Sequence, residues 1–102
     1  MIGRVNVAEL AEFERRRHKK IDIFKCPIFN VVQICFEPGQ EIPSHTEPYS
    51  VLFYVLEGTG VITANGRSWD VKTGDIIFSK KDTARGIVAK TRMRLLGVQE
   101  PH

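Results

Sequence analysis

Apolar and polar residues alternate along this chain with two different periods. Near the start, Val7, Leu10, Ala11 and Phe13 recur at helical spacing. Asn6 stands just before them as a helix cap, and Glu9 lies three positions later, where a capping box places its acid. This pattern predicts a helical segment over residues 1–20. After residue 21 the period shortens. Strand-like runs at 28–37, 50–57, 61–64, 67–72, 76–79, 87–90 and 92–99 are divided by turn-forming residues, among them Pro38 and Gly39, Gly58 and Gly60, and Gly74 and Asp75. Asn65 and Gly66, between two of the runs, are the strongest hairpin signal, because a type I′ turn needs positive φ at both central positions. Short strands with turns this regularly spaced predict an all-β sandwich or barrel, a single domain over residues 1–102 with its barrel at about 28–98.

Two strands carry more information than their existence. In 67–72, Arg67, Trp69 and Val71 alternate with Ser68, Asp70 and Lys72, so the Trp69 face points inward and the other is wet. The run 50–57 does not alternate: Val51, Phe53 and Val55 form one face and Leu52, Tyr54 and Leu56 the other, so both sides call for burial. A barrel of this size has few covers of its own for an outer face, and a second copy of the chain is the simplest one. The expected partner is therefore a homodimer mate. Phe36, Phe53 and Phe78 are read as core.

With 102 residues and 26% charged positions, the chain suits one globular domain that buries a core without staples. No apolar run approaches the roughly 20 residues of a membrane span, and the N-terminus lacks the apolar stretch of a secretory signal, so a cytoplasmic location and no membrane partner are expected. The net charge of +3 is concentrated in Arg15, Arg16, Arg17, Lys19 and Lys20, with His18 among them. Glu9, Glu12 and Glu14 precede this cluster, an order that complements a helix dipole. It reads as a solvated helix end. With no interleaved aromatics it does not read as a nucleic-acid surface, and no nucleic-acid partner is expected. His18 and His102 are expected to be solvated. Cys26 and Cys35, about 30 Å apart if the segment between them is extended at roughly 3.3 Å per residue, read as free thiols.

Chemistry concentrates between Pro38 and Pro48. On a strand, His45 and Glu47 project to the same face, where an imidazole and a carboxylate suit either a divalent transition metal or general acid–base work.

The run from Gly39 to Gly58 resembles the first motif of the cupin superfamily: glycine, five residues, histidine, one residue, histidine, three or four residues, glutamate, six residues, glycine. Here His45 follows Gly39 at the required spacing, Glu47 takes the second-histidine position, and Val51 takes the glutamate position, followed by six residues and Gly58. A second motif begins at Gly74 and Asp75. Its proline, glycine, histidine and asparagine positions are then held by Lys80, Asp82, Arg85 and Ala89. The resemblance spans about 28–98 and implies a small double-stranded β-helix, a jelly-roll barrel with a pocket between its sheets. Fold alone does not set activity in this superfamily.

In the metal-binding pattern that the resemblance implies, three histidines and a glutamate hold the ion. This chain retains His45, offers Glu47, and has Val51 and Arg85 at the other positions. Valine cannot coordinate, and a guanidinium repels a cation while offering five donors. The resemblance therefore implies an Arg85–Glu47 ion pair at the ion's place and a metal-independent pocket for a small molecule, with no cofactor; a carboxylate or phosphate would suit Arg85 and His45. His45, Glu47, Tyr49, Trp69 and Arg85 are the expected ligand-binding residues, and His45, Glu47 and Arg85 are also the candidates for catalysis by proton transfer with oxyanion support. The alternative is a metal-dependent cupin enzyme of dioxygenase or isomerase type, in which His45 and Glu47 hold zinc, nickel, manganese or iron. Trp69, on an inward face, also has a plain role as core.

Overall fold

The computed structural model describes residues 3–102. One helical turn, α1 (Val7–Leu10), precedes nine strands: β1 (Lys19–Lys25), β2 (Asn30–Phe36), β3 (Glu41–Thr46), β4 (Val51–Glu57), β5 (Thr59–Ala64), β6 (Arg67–Lys72), β7 (Ile76–Ser79), β8 (Ala84–Ala89) and β9 (Met93–Gln99). They form two antiparallel sheets, ordered β1-β2-β9-β4-β7 and β3-β8-β5-β6. Val32, Ile34, Phe36, Val51, Phe53, Val55, Ile62, Val71, Ile87, Met93 and Leu95 fill the space between them.

Several expectations hold. The β5–β6 hairpin turns at Asn65 and Gly66 with φ of 53° and 76°. Val51, Phe53 and Val55 are buried on β4, as is Val71 on β6. Asp82 adopts φ of 62°, the left-handed region that glycine favours. Both cysteines are free. The chain does reverse after Cys26, but Cys35 pairs with Lys19 at the far end of β1.

The N-terminal helix over 1–20 is corrected. Asn6 caps it as expected, its Oδ1 accepting from the amides of Ala8 and Glu9, but the helix ends at Leu10 and Ala11 is already extended. So short an isolated helix has little stability of its own. Pairing with β2 instead satisfies the backbone of 19–25, with Lys20 opposite Ile34 and Ile21 opposite Gln33. The stretch between α1 and β1 becomes a strap over the outer face of β2 and β9. Gln33 Nε2 donates to the Val7 carbonyl at 2.8 Å, Gln40 Nε2 donates to that of Glu14 at 2.7 Å, and the Arg92 guanidinium lies 3.5 Å from the centre of the Phe13 ring. Lys19 meets the carboxylates of Glu12 and Glu14, while Arg15, Arg16 and Arg17 are exposed.

β3 forms where only turn chemistry was legible. It is an edge strand, the position in a sheet where a proline such as Pro43 is tolerated, and its register with β8 shifts between Ile42 and His45. Phe78 is also corrected: at 54% exposure it sits on the outer face of edge strand β7, not in the core. Ile76 and Tyr54 are exposed on that same surface, which the described residues leave uncovered.

Candidate functional site

A cavity of about 210 Å³ lies between the sheets. Ile34 and Phe53 reach it from β2 and β4, Ile42 and His45 from β3, and Arg85, Gly86 and Ile87 from β8. His18, Lys20, Tyr49 and Gln99 complete the lining, in which no carboxylate takes part.

Pairing of β3 with β8 puts Arg85 directly opposite His45. Strand parity then sends the Arg85 side chain inward with Ile87 and Ala89, and Arg85 is only 4% exposed. Its Nη2 donates to the carbonyl of Tyr49, whose ring centre lies 5.2 Å from the guanidinium carbon. Nε is buried without a partner. Burial pulls the guanidinium below its ordinary pKa, while the neighbouring Tyr49 and Glu47 oppose the shift. Arginine nevertheless stays charged at physiological pH.

The expected Arg85–Glu47 ion pair does not form: no Arg85 contact with a carboxylate occurs within 4 Å among the described residues. Glu47 turns instead toward His45, with Oε1 3.9 Å from Nε2. The bulge at Pro43 explains part of this, because His45 Nδ1 donates back to the Pro43 carbonyl at 2.9 Å, which aims Nε2 at Glu47. Tyr49 has its hydroxyl pKa pushed up to about 12, first by burial and then by the neighbouring Glu47 carboxylate. Three of the five expected site residues, His45, Tyr49 and Arg85, therefore line the cavity. Glu47 stands behind His45 and Tyr49, and Trp69 lies elsewhere, packed on the core with the Arg67 guanidinium 5.5 Å from its ring centre.

Two histidines expected in solvent contact the site. His18 stacks on Phe36 with ring centres 5.6 Å apart and lines the cavity. His102, though exposed, stacks on Tyr49 at 3.7 Å, nearly parallel. Lys20 and Gln99 were also missed. The available signal was parity: if the chain is extended from residue 18 into β1, His18 and Lys20 fall on one face.

His18 carries a pH prediction. Burial holds its imidazole below the usual 6.5, with Arg17 acting in the same direction and Glu14 against it. Below that pH the unfolded chain binds the proton more readily than the folded one, so stability falls with pH until the folded form is protonated as well. His18→Gln is expected to flatten the decline of melting temperature between about pH 7 and pH 5. Circular dichroism melts would show it, and an identical slope in the variant would assign the decline to other groups.

Among the described residues no three His, Cys, Asp or Glu side chains gather as an ion would require. Val51 is buried in the core, and the guanidinium of Arg85 faces the cavity beside His45.

A family model described as the cupin domain matches residues 32–98. Among solved structures, an RmlC-like cupin protein from Desulfovibrio desulfuricans matches at 25% identity with a TM-score of 0.89, over 99% of this chain and 98% of that one. The TT1209 protein from Thermus thermophilus matches at 21% identity and a TM-score of 0.91, over 98% of both chains. An uncharacterised conserved protein with a double-stranded β-helix domain from Klebsiella pneumoniae matches at 23% and 0.88, over 99% of this chain and 91% of its own. The last two likenesses bear on the fold alone. No curated protein matches the chain.

Proposed function

This chain belongs to the cupin family, and from that premise we propose that it binds a small anionic molecule in the barrel cavity, with Arg85 as the receiving group and no metal in the site. One observation carries the reading: Arg85, only 4% exposed, lines a cavity, has no carboxylate within ion-pair distance among the described residues, and keeps Nε unpartnered. Taking a charge out of water costs several kcal/mol unless an opposite charge is supplied. An anion entering the cavity supplies it, in a fork geometry suited to planar oxyanions. Lys20, in the same lining, adds positive potential.

The test is a melting series of the full chain with the sodium salts of acetate, benzoate, citrate and phosphate at matched ionic strength. A ligand at a hundred times its Kd adds about 2.7 kcal/mol, or roughly 10 °C or more for a domain of this size. At least one salt is expected to raise the melting temperature of the native chain and to have no effect on Arg85→Met. Equal responses in both proteins would overturn the reading. So would one transition-metal ion per chain in protein purified without chelator and lost in His45→Ala, which is the signature of the metal-dependent alternative.

We extend this reading to a cytoplasmic homodimer. Two free thiols fit a reducing compartment, and a second copy covers the outer surface that β4 and β7 leave open, where Tyr54, Ile76 and Phe78 lie exposed on and beside an edge strand. Light scattering is expected to give twice 11.6 kDa, falling to 11.6 kDa in Ile76→Asp/Phe78→Asp. A native mass of 11.6 kDa would remove the dimer.

A further inference from the structure

Resting on the reading of Arg85 as the anion's partner, we infer that the ligand is a monocarboxylate with a compact apolar body of about benzoate size, and not a phosphate. Charge sets the first limit. Arg85 is the one fixed cation buried in the lining; Lys20 is half exposed and lies 4.0 Å from the Asp22 carboxylate. A single buried positive charge balances a single negative one. A phosphate dianion would bring a second charge, with no buried fixed cation to meet it.

Hydrogen bonding sets the second limit. Of the five N–H donors on Arg85, one is used on the Tyr49 carbonyl, and Nε is free. Two coplanar donors from this fork match the two oxygens of a carboxylate. Four of the side chains lining the same space are apolar: Ile34, Ile42, Phe53 and Ile87. The remaining oxygens of a phosphate would lose water against those four side chains, and the polar groups elsewhere in the lining, His18, Lys20, His45, Tyr49 and Gln99, include no second buried fixed cation to offset the loss. A hydrocarbon body there gains about 25 cal/mol for each Å² of apolar surface removed from water.

Volume sets the third. An apolar cavity of about 150 Å³ accommodates benzene, so about 210 Å³ has room for one six-carbon body and a carboxylate. Acetate would leave most of the apolar wall unfilled. Larger drug-like ligands occupy cavities of roughly 300 Å³ and upward.

The test is calorimetric titration of the full-length chain with benzoate, 4-methylpentanoate, acetate, inorganic phosphate and benzyl alcohol, paired with NMR spectra of protein carrying labelled isoleucine methyl groups. Benzoate or 4-methylpentanoate is expected to bind at least tenfold more tightly than acetate, phosphate or benzyl alcohol. Binding is expected to shift the methyl signals of Ile34, Ile42 and Ile87, and Arg85→Met is expected to reduce the affinity at least tenfold. Arg85-dependent binding of phosphate or acetate as tight as that of benzoate would overturn the ligand class while leaving the anion-binding reading intact. Binding of benzoate that survives Arg85→Met, or no Arg85-dependent binding of any of the anions, would overturn both.

Discussion

Gly58→Ala is expected to destabilise the fold by about 3 kcal/mol or more, a large share of the 5–15 kcal/mol that holds a typical domain together. Gly58 has φ of 88°, and a Cβ there would lie 2.0 Å from the Arg92 carbonyl oxygen and 2.9 Å from Thr91 Oγ1. The left-handed conformation alone costs a non-glycine residue roughly 1–2 kcal/mol. The larger cost is the contact, because the obstructing atom is backbone. Relief requires the β4–β5 connection to move away from the turn at 91–92. Thr59 N donates to Thr91 Oγ1 at 2.9 Å, and Lys90 N and Thr91 N donate to the Thr59 carbonyl at 3.0 and 3.2 Å, so that movement strains or breaks three hydrogen bonds. At about 4–8 °C per kcal/mol, the melting temperature should drop by at least roughly 12 °C. Gly66→Ala separates conformation from collision: its φ is 76°, yet a Cβ there meets nothing within 4 Å. It should lose only about 1–2 kcal/mol. Equal losses in the two variants, measured by urea unfolding, would remove the collision from the explanation.

Arg85→Met is expected to act in the opposite direction, raising stability by about 1–3 kcal/mol while removing anion binding. Replacing buried charge with apolar side chains of similar volume is often neutral or stabilising, and here the charge lacks even a paired carboxylate. Methionine is long and flexible enough to fill the space beside Ile34, Ile42, Phe53 and Ile87. Two losses offset part of the gain. The Tyr49 carbonyl gives up its donor, worth about 1.5–3 kcal/mol for a charged group, and the cation–π contact with the Tyr49 ring, about 0.5–2 kcal/mol, disappears. The desolvation of an unpaired guanidinium, several kcal/mol, outweighs them. Such a gain marks a residue kept for binding at the expense of stability. If chemical denaturation shows Arg85→Met to be less stable than the native chain by more than about 1 kcal/mol, the guanidinium is a structural element and the argument for an anion site loses its support.

Much of the barrel was legible because it is written in local signals. The Asn65 and Gly66 turn needs only backbone conformation, the inward set on β6 needs only period-two alternation, and the glycines at 39 and 58 fall at fixed spacing around His45. The candidate site was legible in position more than in wiring. His45 and Glu47 do approach each other, as residues two apart on a strand should, and Arg85 does face the same cavity as His45. The Arg85–Glu47 pair failed because a hydrogen bond from His45 back to Pro43 and the bulge beside it set which group Glu47 meets, and no spacing rule encodes that choice.

Residue order and periodicity were enough to establish the all-β character, the hairpin at Asn65, the inward faces of β4 and β6, and the lack of a full histidine-rich ligand set. Tertiary structure alone decided that residues 19–25 pair with β2 instead of extending a helix, since the open edge of β2 offers backbone hydrogen bonds that helical periodicity in a polar segment could not outweigh. That choice carried His18 and Lys20 to the cavity. The pairing of β3 with β8 likewise decided that Arg85, opposite His45, is the one buried fixed charge in the lining, because a side chain's electrostatic partners depend on which strands meet across the barrel, and that is a property of register over long separations.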